Sequence, residues 1–213
     1  MEIAPGAVHL SRYLDLAAQT ALASQVRALM DGAVPAYVPV VRGGGTMHVR
    51  MLCLGRHWNG KTYSYEATRS DFDNLPVPPL PGNLKALAGR IAQAAGMTLD
   101  ADLAIVNYYD ADGRMGLHQD KDESEASLAA GLPVVSISLG DSCLFRIGGR
   151  KRGEPTRSIR LSSGVVLVLA FHGVGRIFPG TSSLLPDGVR INLTLRRVTR
   201  GGADLRTDQM PSA

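Results

Sequence analysis

Cysteine is scarce. Cys53 and Cys143 are the only two among 213 residues, and their separation suits no metal site. They read as buried thiols in a reducing compartment rather than as a disulfide. Long apolar runs are also missing. The strongest, 165–171, is far too short to cross a bilayer. The first residues, Met1 to Leu16, show no basic segment followed by an apolar one, so no signal peptide is expected. There is no internal repeat, and the only biased stretch is Pro76 to Pro81. These absences exclude a disulfide scaffold, a helical membrane protein and a repeat array. They leave a soluble, cytoplasmic protein with no membrane partner.

Hydrophobic residues make up 45% and charged residues 20%, the balance of a globular chain with a sizeable core. With 24 Gly and 12 Pro the chain is turn-rich, which favours a mostly β fold over a helical bundle. The net charge of +4 is compatible with a polyanionic partner without demanding one.

Two stretches have helical periodicity. Leu14, Ala18, Leu22, Val26 and Leu29 form one apolar stripe, stopped by Asp31-Gly32; Leu84, Leu87, Ala88, Ile91 and Ala95 form the other, with Gly96 as the stop. Between them, Thr46 to Leu54 reads as a strand, and Asn59-Gly60 as a hairpin turn amid Trp58, Tyr63 and Tyr65. After Gly96 short β runs dominate: 103–109, 134–139, 143–147, 158–161, 165–170 and 189–198. The pattern is α+β, mostly β, a sandwich or barrel. The residues after Gly201 read as a disordered tail.

The chemistry concentrates in a few places. His118 and Asp120 are two apart, so an extended chain points both to one face. An imidazole beside a carboxylate is two thirds of the facial triad that holds Fe(II) with open positions. Taken alone, His-x-Asp is commonplace. His172 is the one other histidine in the strand-rich half. The segment 189–196 alternates strictly, with Arg190, Asn192, Thr194 and Arg196 on one face and Ile191, Leu193 and Leu195 on the other. A half-buried strand with a solvated polar face explains this. So does a site for a small dicarboxylate, because a guanidinium binds a carboxylate bidentately and stays charged. Asn107 and Tyr109 share the same two-residue spacing.

Five pieces occur in one order: Asn107-x-Tyr109, Leu117-His118-Gln119-Asp120-Lys121-Asp122-Glu123, Val135-Ser136-Ile137-Ser138-Leu139-Gly140, His172-Gly173-Val174 and Arg190-x-Asn192-x-Thr194-x-Arg196. On these the chain resembles the AlkB-type dioxygenases, which use Fe(II), 2-oxoglutarate and O₂ to repair alkylated nucleic acid. The resemblance runs from about Gly43 to Val198. It implies one dioxygenase domain over residues 1–200, a double-stranded β-helix (jelly-roll) core at about 100–198, a nucleotide-recognition lid at about 40–70, and flanking helices. It implies His118, Asp120 and His172 as iron ligands. Arg190 would pair with the distal carboxylate of 2-oxoglutarate, helped by Tyr109 and Asn192, with Arg196 and Asn107 near its chelating end.

The activity implied is oxidative demethylation of bases such as 1-methyladenine and 3-methylcytosine in single-stranded or flipped-base DNA, with RNA as a further substrate class. Trp58 and Tyr63 would sandwich the cationic base, with Tyr65 as an alternative to Tyr63; Asp122 would add a negative charge and Met47 a further contact. Lys151 and Arg152 follow Gly148-Gly149 and read as phosphate contacts. No obligate protein partner is implied, and a monomer is expected. One departure stands out. The apolar run from Val165 enters Phe171-His172-Gly173 with no turn residue. Either the strand ends early, or the turn is lost and the iron site is damaged. The second option leaves a non-catalytic nucleic-acid-binding module. An oxygenase acting on a protein or small molecule is the other alternative.

Overall fold

The structure, a computed structural model, describes residues 2–4, 7–118, 133–147, 155–164, 166–168, 172–185 and 189–199, with residues 2–4, 7, 117, 166–168 and 172 described by backbone alone. The strands are β1 (Glu2–Ala4), β2 (Ala7–Leu10), β3 (Arg50–Leu54), β4 (His57–Asn59), β5 (Ser64–Glu66), β6 (Leu103–Tyr109), β7 (Met115–His118), β8 (Val135–Gly140), β9 (Ser142–Ile147), β10 (Arg157–Leu161), β11 (Val166–Val168), β12 (His172–Phe178) and β13 (Arg190–Arg196). The helices are α1 (Leu16–Met30) and α2 (Gly82–Ala94).

Seven strands form one sheet in the order β1-β2-β11-β8-β13-β6-β3, four form a second in the order β10-β9-β12-β7, and β4-β5 is a separate hairpin. All the recorded pairings are antiparallel. The expected strand at Thr46 to Leu54 is shorter; only Arg50–Leu54 pairs continuously, and Thr46 and His48 make isolated bridges.

The helices cover one face of the large sheet. Asp15 caps α1 by accepting from the Ala18 amide at 2.8 Å. The helix therefore starts at Leu16, after the apolar stripe has begun. It buries Leu22, Ala23, Val26 and Met30, and α2 buries Leu84, Ala88, Ile91 and Ala92. Gly96, at φ +74°, closes α2 as expected. Opposite them in the same core lie Val135, Ile137 and Leu139 of β8 and Ile191, Leu193 and Leu195 of β13. Those side chains occupy alternate positions, so their neighbours must face the other way.

That other face looks toward the small sheet. Tyr109 of β6 packs with Cys143, Phe145 and Ile147 of β9 and with Val174 and Ile177 of β12 in one buried cluster. The polar side of β13 is therefore covered rather than solvated: Arg190 is 0% exposed and Arg196 3%. The apolar run at 165–171 does not make a hairpin. β11 pairs with β8 in the large sheet and β12 with β9 and β7 in the small one. The chain changes sheets between Val168 and His172, and residues 169–171 lie outside the described residues. Asp120, Asp122, Lys151 and Arg152 lie outside the described residues, as does the tail from Arg200. The chain has no helix, among the described residues, long and apolar enough to cross a membrane.

Candidate active site

Register assembles the polar face. Arg190 lies opposite Tyr109 on one side and Gly140 on the other; Asn192 lies between Asn107 and Ser138 in the same way. Residues directly opposite share a face, so Tyr109, Asn107, Arg190, Asn192 and Ser138 form one patch. In the sequence they fall in three separate motifs.

A sharp corner holds Arg190. β8 leaves the large sheet at Gly140, and β9 begins in the small sheet two residues later. Gly140 has φ +82°, and a Cβ there would sit 2.3 Å from the Val189 carbonyl oxygen, so only glycine fits. Asp141 follows. Its carboxylate accepts from the amides of Gly180, Thr181 and Ser182, each at 2.8 Å, which ties down the segment leading to β13. Its carbonyl accepts from Arg190 Nη1 at 3.1 Å, while Ser138 Oγ accepts from Arg190 Nη2 at 2.6 Å. Nε of Arg190 is buried with no partner among the described residues, and no carboxylate pairs with this guanidinium there. The sequence gives no hint of Ser138 and Asp141 as supports beyond the Leu-Gly-Asp turn.

Asn192 is fixed by Ser136, whose hydroxyl donates to Oδ1 at 2.9 Å, and its own amide donates to Thr194 Oγ1 at 3.1 Å. Asn107 has a buried Oδ1 without a partner among the described residues. Tyr109 is 1% exposed, and its hydroxyl points to Met115 Sδ at 3.9 Å. Arg196 lies over the ring of Tyr65, 5.5 Å from its centroid, which joins the β4-β5 hairpin to this face.

In the small sheet, β7 and β12 pair with His118 directly opposite His172. Nδ1 of His118 lies 2.9 Å from the Gly116 carbonyl oxygen. A carbonyl can only accept, so Nδ1 is the donor in this contact, and Nε2 is the ring nitrogen a metal would take. The third expected ligand, Asp120, lies outside the described residues. The residues present fit both groups. A buried guanidinium with an unused donor and no anionic partner among the described residues suits a dicarboxylate, and two register-matched histidines suit a metal. The cysteines do not compete: burial pushes the Cys53 thiol up to about 11, and raises Cys143 too.

The comparisons decide the family. The 2OG-Fe(II) oxygenase superfamily model matches residues 6–196. The chain is 42% identical over 207 residues to the alpha-ketoglutarate-dependent dioxygenase AlkB homolog of Caulobacter vibrioides, covering 92% of this chain and 90% of that one. This chain is an AlkB-family 2OG-Fe(II) oxygenase. As such it is a dioxygenase dependent on Fe(II) and 2-oxoglutarate, and its two antiparallel sheets are the double-stranded β-helix of that family. It is also 36% identical to the DNA N(6)-methyladenine demethylase ALKBH1C of Arabidopsis thaliana, over 92% of this chain but about half (49%) of that longer protein. Among solved structures, OsALKBH1 superposes with a TM-score of 0.84 at 33% identity, covering 92% of this chain and 99% of that chain.

The β4-β5 hairpin carries the aromatic residues expected to meet a base. In the β4-β5 hairpin Trp58 pairs with Tyr65, not Tyr63. Tyr63 meets Trp58 edge-on, with centroids 5.7 Å apart and planes at 82°, so the two do not form a parallel sandwich here. Tyr63 has φ +60° and is 43% exposed, with Arg42 over its ring. Trp58 and Tyr65 pack on Tyr37, Met51 and Cys53, and the Trp58 amide donates to Cys53 Sγ at 3.5 Å. Met47 packs against the cluster containing Tyr109 and Phe145.

Beneath the hairpin is a network that the sequence does not announce. His57 Nε2 lies 2.6 Å from Asp71 Oδ1 and 3.2 Å from the Tyr37 hydroxyl, all buried. Arg69 grips Asp73 with two hydrogen bonds and lies over Tyr37 and Phe72. That grip holds the Asp73 carboxyl below its ordinary value. Spacing in sequence gives no warning of the His57 contacts, which join residues 14 and 20 apart; the Arg69–Asp73 pair is four apart but lies outside any helix.

Proposed function

We propose that this dioxygenase removes N-linked methyl groups from nucleic-acid bases. The observation that carries the reading is Arg190 of an AlkB-family fold, buried with no carboxylate partner among the described residues, on a polar strand face that Arg196 links to the aromatic hairpin through Tyr65. The nucleic-acid substrate is supported by the similarity to AlkB-type and demethylase relatives, and by Trp58 and Tyr65 beside the cleft.

Fe(II) and 2-oxoglutarate, held by the residues named below, would supply the oxidant that places one oxygen atom of O₂ in a methyl C–H bond, the other oxygen going to succinate with loss of CO₂. The hydroxymethyl group on nitrogen then departs as formaldehyde. The chain's own part is placement. His118, Asp120 and His172 hold the metal. Arg190 takes the distal carboxylate of 2-oxoglutarate, with Tyr109 and Asn192 beside it, and Asn107 and Arg196 lie toward the chelating end. Trp58 stacks on the flipped base, with Tyr65 and Tyr63 flanking it and Met47 behind; Asp122 faces a cationic lesion, and Lys151 and Arg152 hold phosphates. The protein works as a cytoplasmic monomer.

The test is mass spectrometry of single-stranded oligonucleotides carrying 3-methylcytosine, 1-methyladenine or N6-methyladenine, incubated with Fe(II), ascorbate and O₂. Loss of one methyl group only when 2-oxoglutarate is added is the expected result. No loss from any of the three, with 2-oxoglutarate still consumed, would move the substrate to a protein or small molecule.

A further inference from the structure

The outer face of the small sheet carries charge of one sign. Arg160 of β10 and Arg176 of β12 both pair with Leu144 of β9, one from each side. Arg146 stands two residues further along β9, on the same face. All three arginines are exposed. The residues between them, Cys143, Phe145 and Ile147, turn inward into the buried cluster.

Two of these guanidinium groups share one ring. Arg160 lies 4.8 Å and Arg176 5.1 Å from the centroid of Phe178. They are thus held within about 10 Å of each other, where like charges repel. Nothing described offsets that. β7, β9, β10 and β12 contain no Asp or Glu, and no salt bridge among the described residues involves the three arginines. Gly175 bulges out of the ladder beside Arg146, whose Nε lies 3.5 Å from where a Cβ would stand, so the arginine lies flat over bare backbone. A fixed cluster of cations with no counter-charge among the described residues calls for a polyanion, and guanidinium forks match phosphate oxygens bidentately.

We propose that this face is a second nucleic-acid contact that grips the phosphodiester backbone beyond the nucleotides engaged at the active site. The inference rests on the proposed substrate being nucleic acid. The sheet that bears the arginines on its outer face also carries His118 and His172, on β7 and β12, so both features belong to one small sheet.

The test compares the wild type with an Arg146→Gln/Arg160→Gln/Arg176→Gln variant by fluorescence anisotropy on a long, unmodified single strand across a salt series. Each lost phosphate contact should flatten the slope of log affinity against log salt by roughly 0.7, so about two in all, and weaken binding on the order of tenfold or more at low salt. Melting temperature and turnover of a short methylated oligonucleotide should not change. An unchanged slope and affinity would overturn the proposal. So would displacement of the DNA by polyglutamate with the variant defective only toward the polypeptide, which would make the partner an acidic protein. If the wild type binds the long strand with the steeper slope yet demethylates nothing, the surface stands and the demethylase reading falls.

Discussion

Replacing Arg190 with methionine separates a structural arginine from a ligand-binding one. The side chain is 0% exposed and donates to Asp141 O and Ser138 Oγ. Methionine fills a similar volume. It removes two hydrogen bonds from a charged group, worth about 1.5–3 kcal/mol each, but also removes a desolvated charge that costs several kcal/mol. These oppose each other, so ligand-free stability should move by no more than about 2 kcal/mol, in either direction. Ligand binding has no such compensation. Loss of a bidentate carboxylate contact at about 3 kcal/mol weakens 2-oxoglutarate roughly 100-fold. The assay is thermal melting with Fe(II), without O₂, with and without 2-oxoglutarate. At about 100 times its Kd, 2-oxoglutarate stabilises the wild type by about 2.7 kcal/mol. For a chain of this size that is about 5–10 °C. In the variant the same concentration is near Kd, and the shift falls to about 1 °C. If Arg190→Met keeps the wild-type shift, whatever its ligand-free melting point, the dicarboxylate assignment is wrong and the arginine only braces the corner at Asp141.

Trp58→Ala should raise KM for a methylated oligonucleotide by roughly 5- to 150-fold, the range of about 1–3 kcal/mol for base stacking, while leaving 2-oxoglutarate binding alone; unchanged KM would remove Trp58 from the base site. Asp71→Ala leaves the buried His57 Nε2 without its carboxylate, and losing a hydrogen bond to a charged group costs about 1.5–3 kcal/mol, so the melting point should drop on the order of 5 °C; no drop would show the contact to be dispensable. The Arg69–Asp73 contact should be lost on acidification. Asp73 is held below its ordinary value of 3.8, so its contribution is complete above that value and disappears as pH falls through the depressed native one. Subtracting the melting curve of Asp73→Asn from that of the wild type across pH isolates the contribution; a difference that grows toward low pH would contradict the sign.

Strands with strong local signals are legible in the residue pattern alone. The apolar run Leu103–Tyr109 marks β6 at its observed bounds, and the alternation of β13 assigns each residue to its correct side. What alternation cannot tell is what covers a polar face. A period of two fits a solvated surface and a buried cleft equally well, and only the second sheet decides. β12 leaves little trace in the sequence because Gly173 and Gly175 lower its strand propensity; pairing with β9 and β7 imposes the conformation. The absence of a turn before His172 has a topological cause. A turn residue is needed when a strand folds back within one sheet, and here the chain crosses to the other.

The same topology explains why one short sequence can place a cation where bulk solvent is excluded. A charged side chain enters a core at a cost of several kcal/mol unless something answers it. Here the answer is split. The corner at Gly140 and Asp141 supplies two acceptors from backbone and hydroxyl, which fix direction but carry no charge. The carboxylate of Asp141, which could have neutralised Arg190, is engaged instead by the amides of Gly180, Thr181 and Ser182. Arg190 is therefore aimed by the protein and left with its charge uncompensated among the described residues. That arrangement is weak as a structural brace and strong as a receptor, because the first anion of the right shape recovers a desolvation cost already incurred in folding.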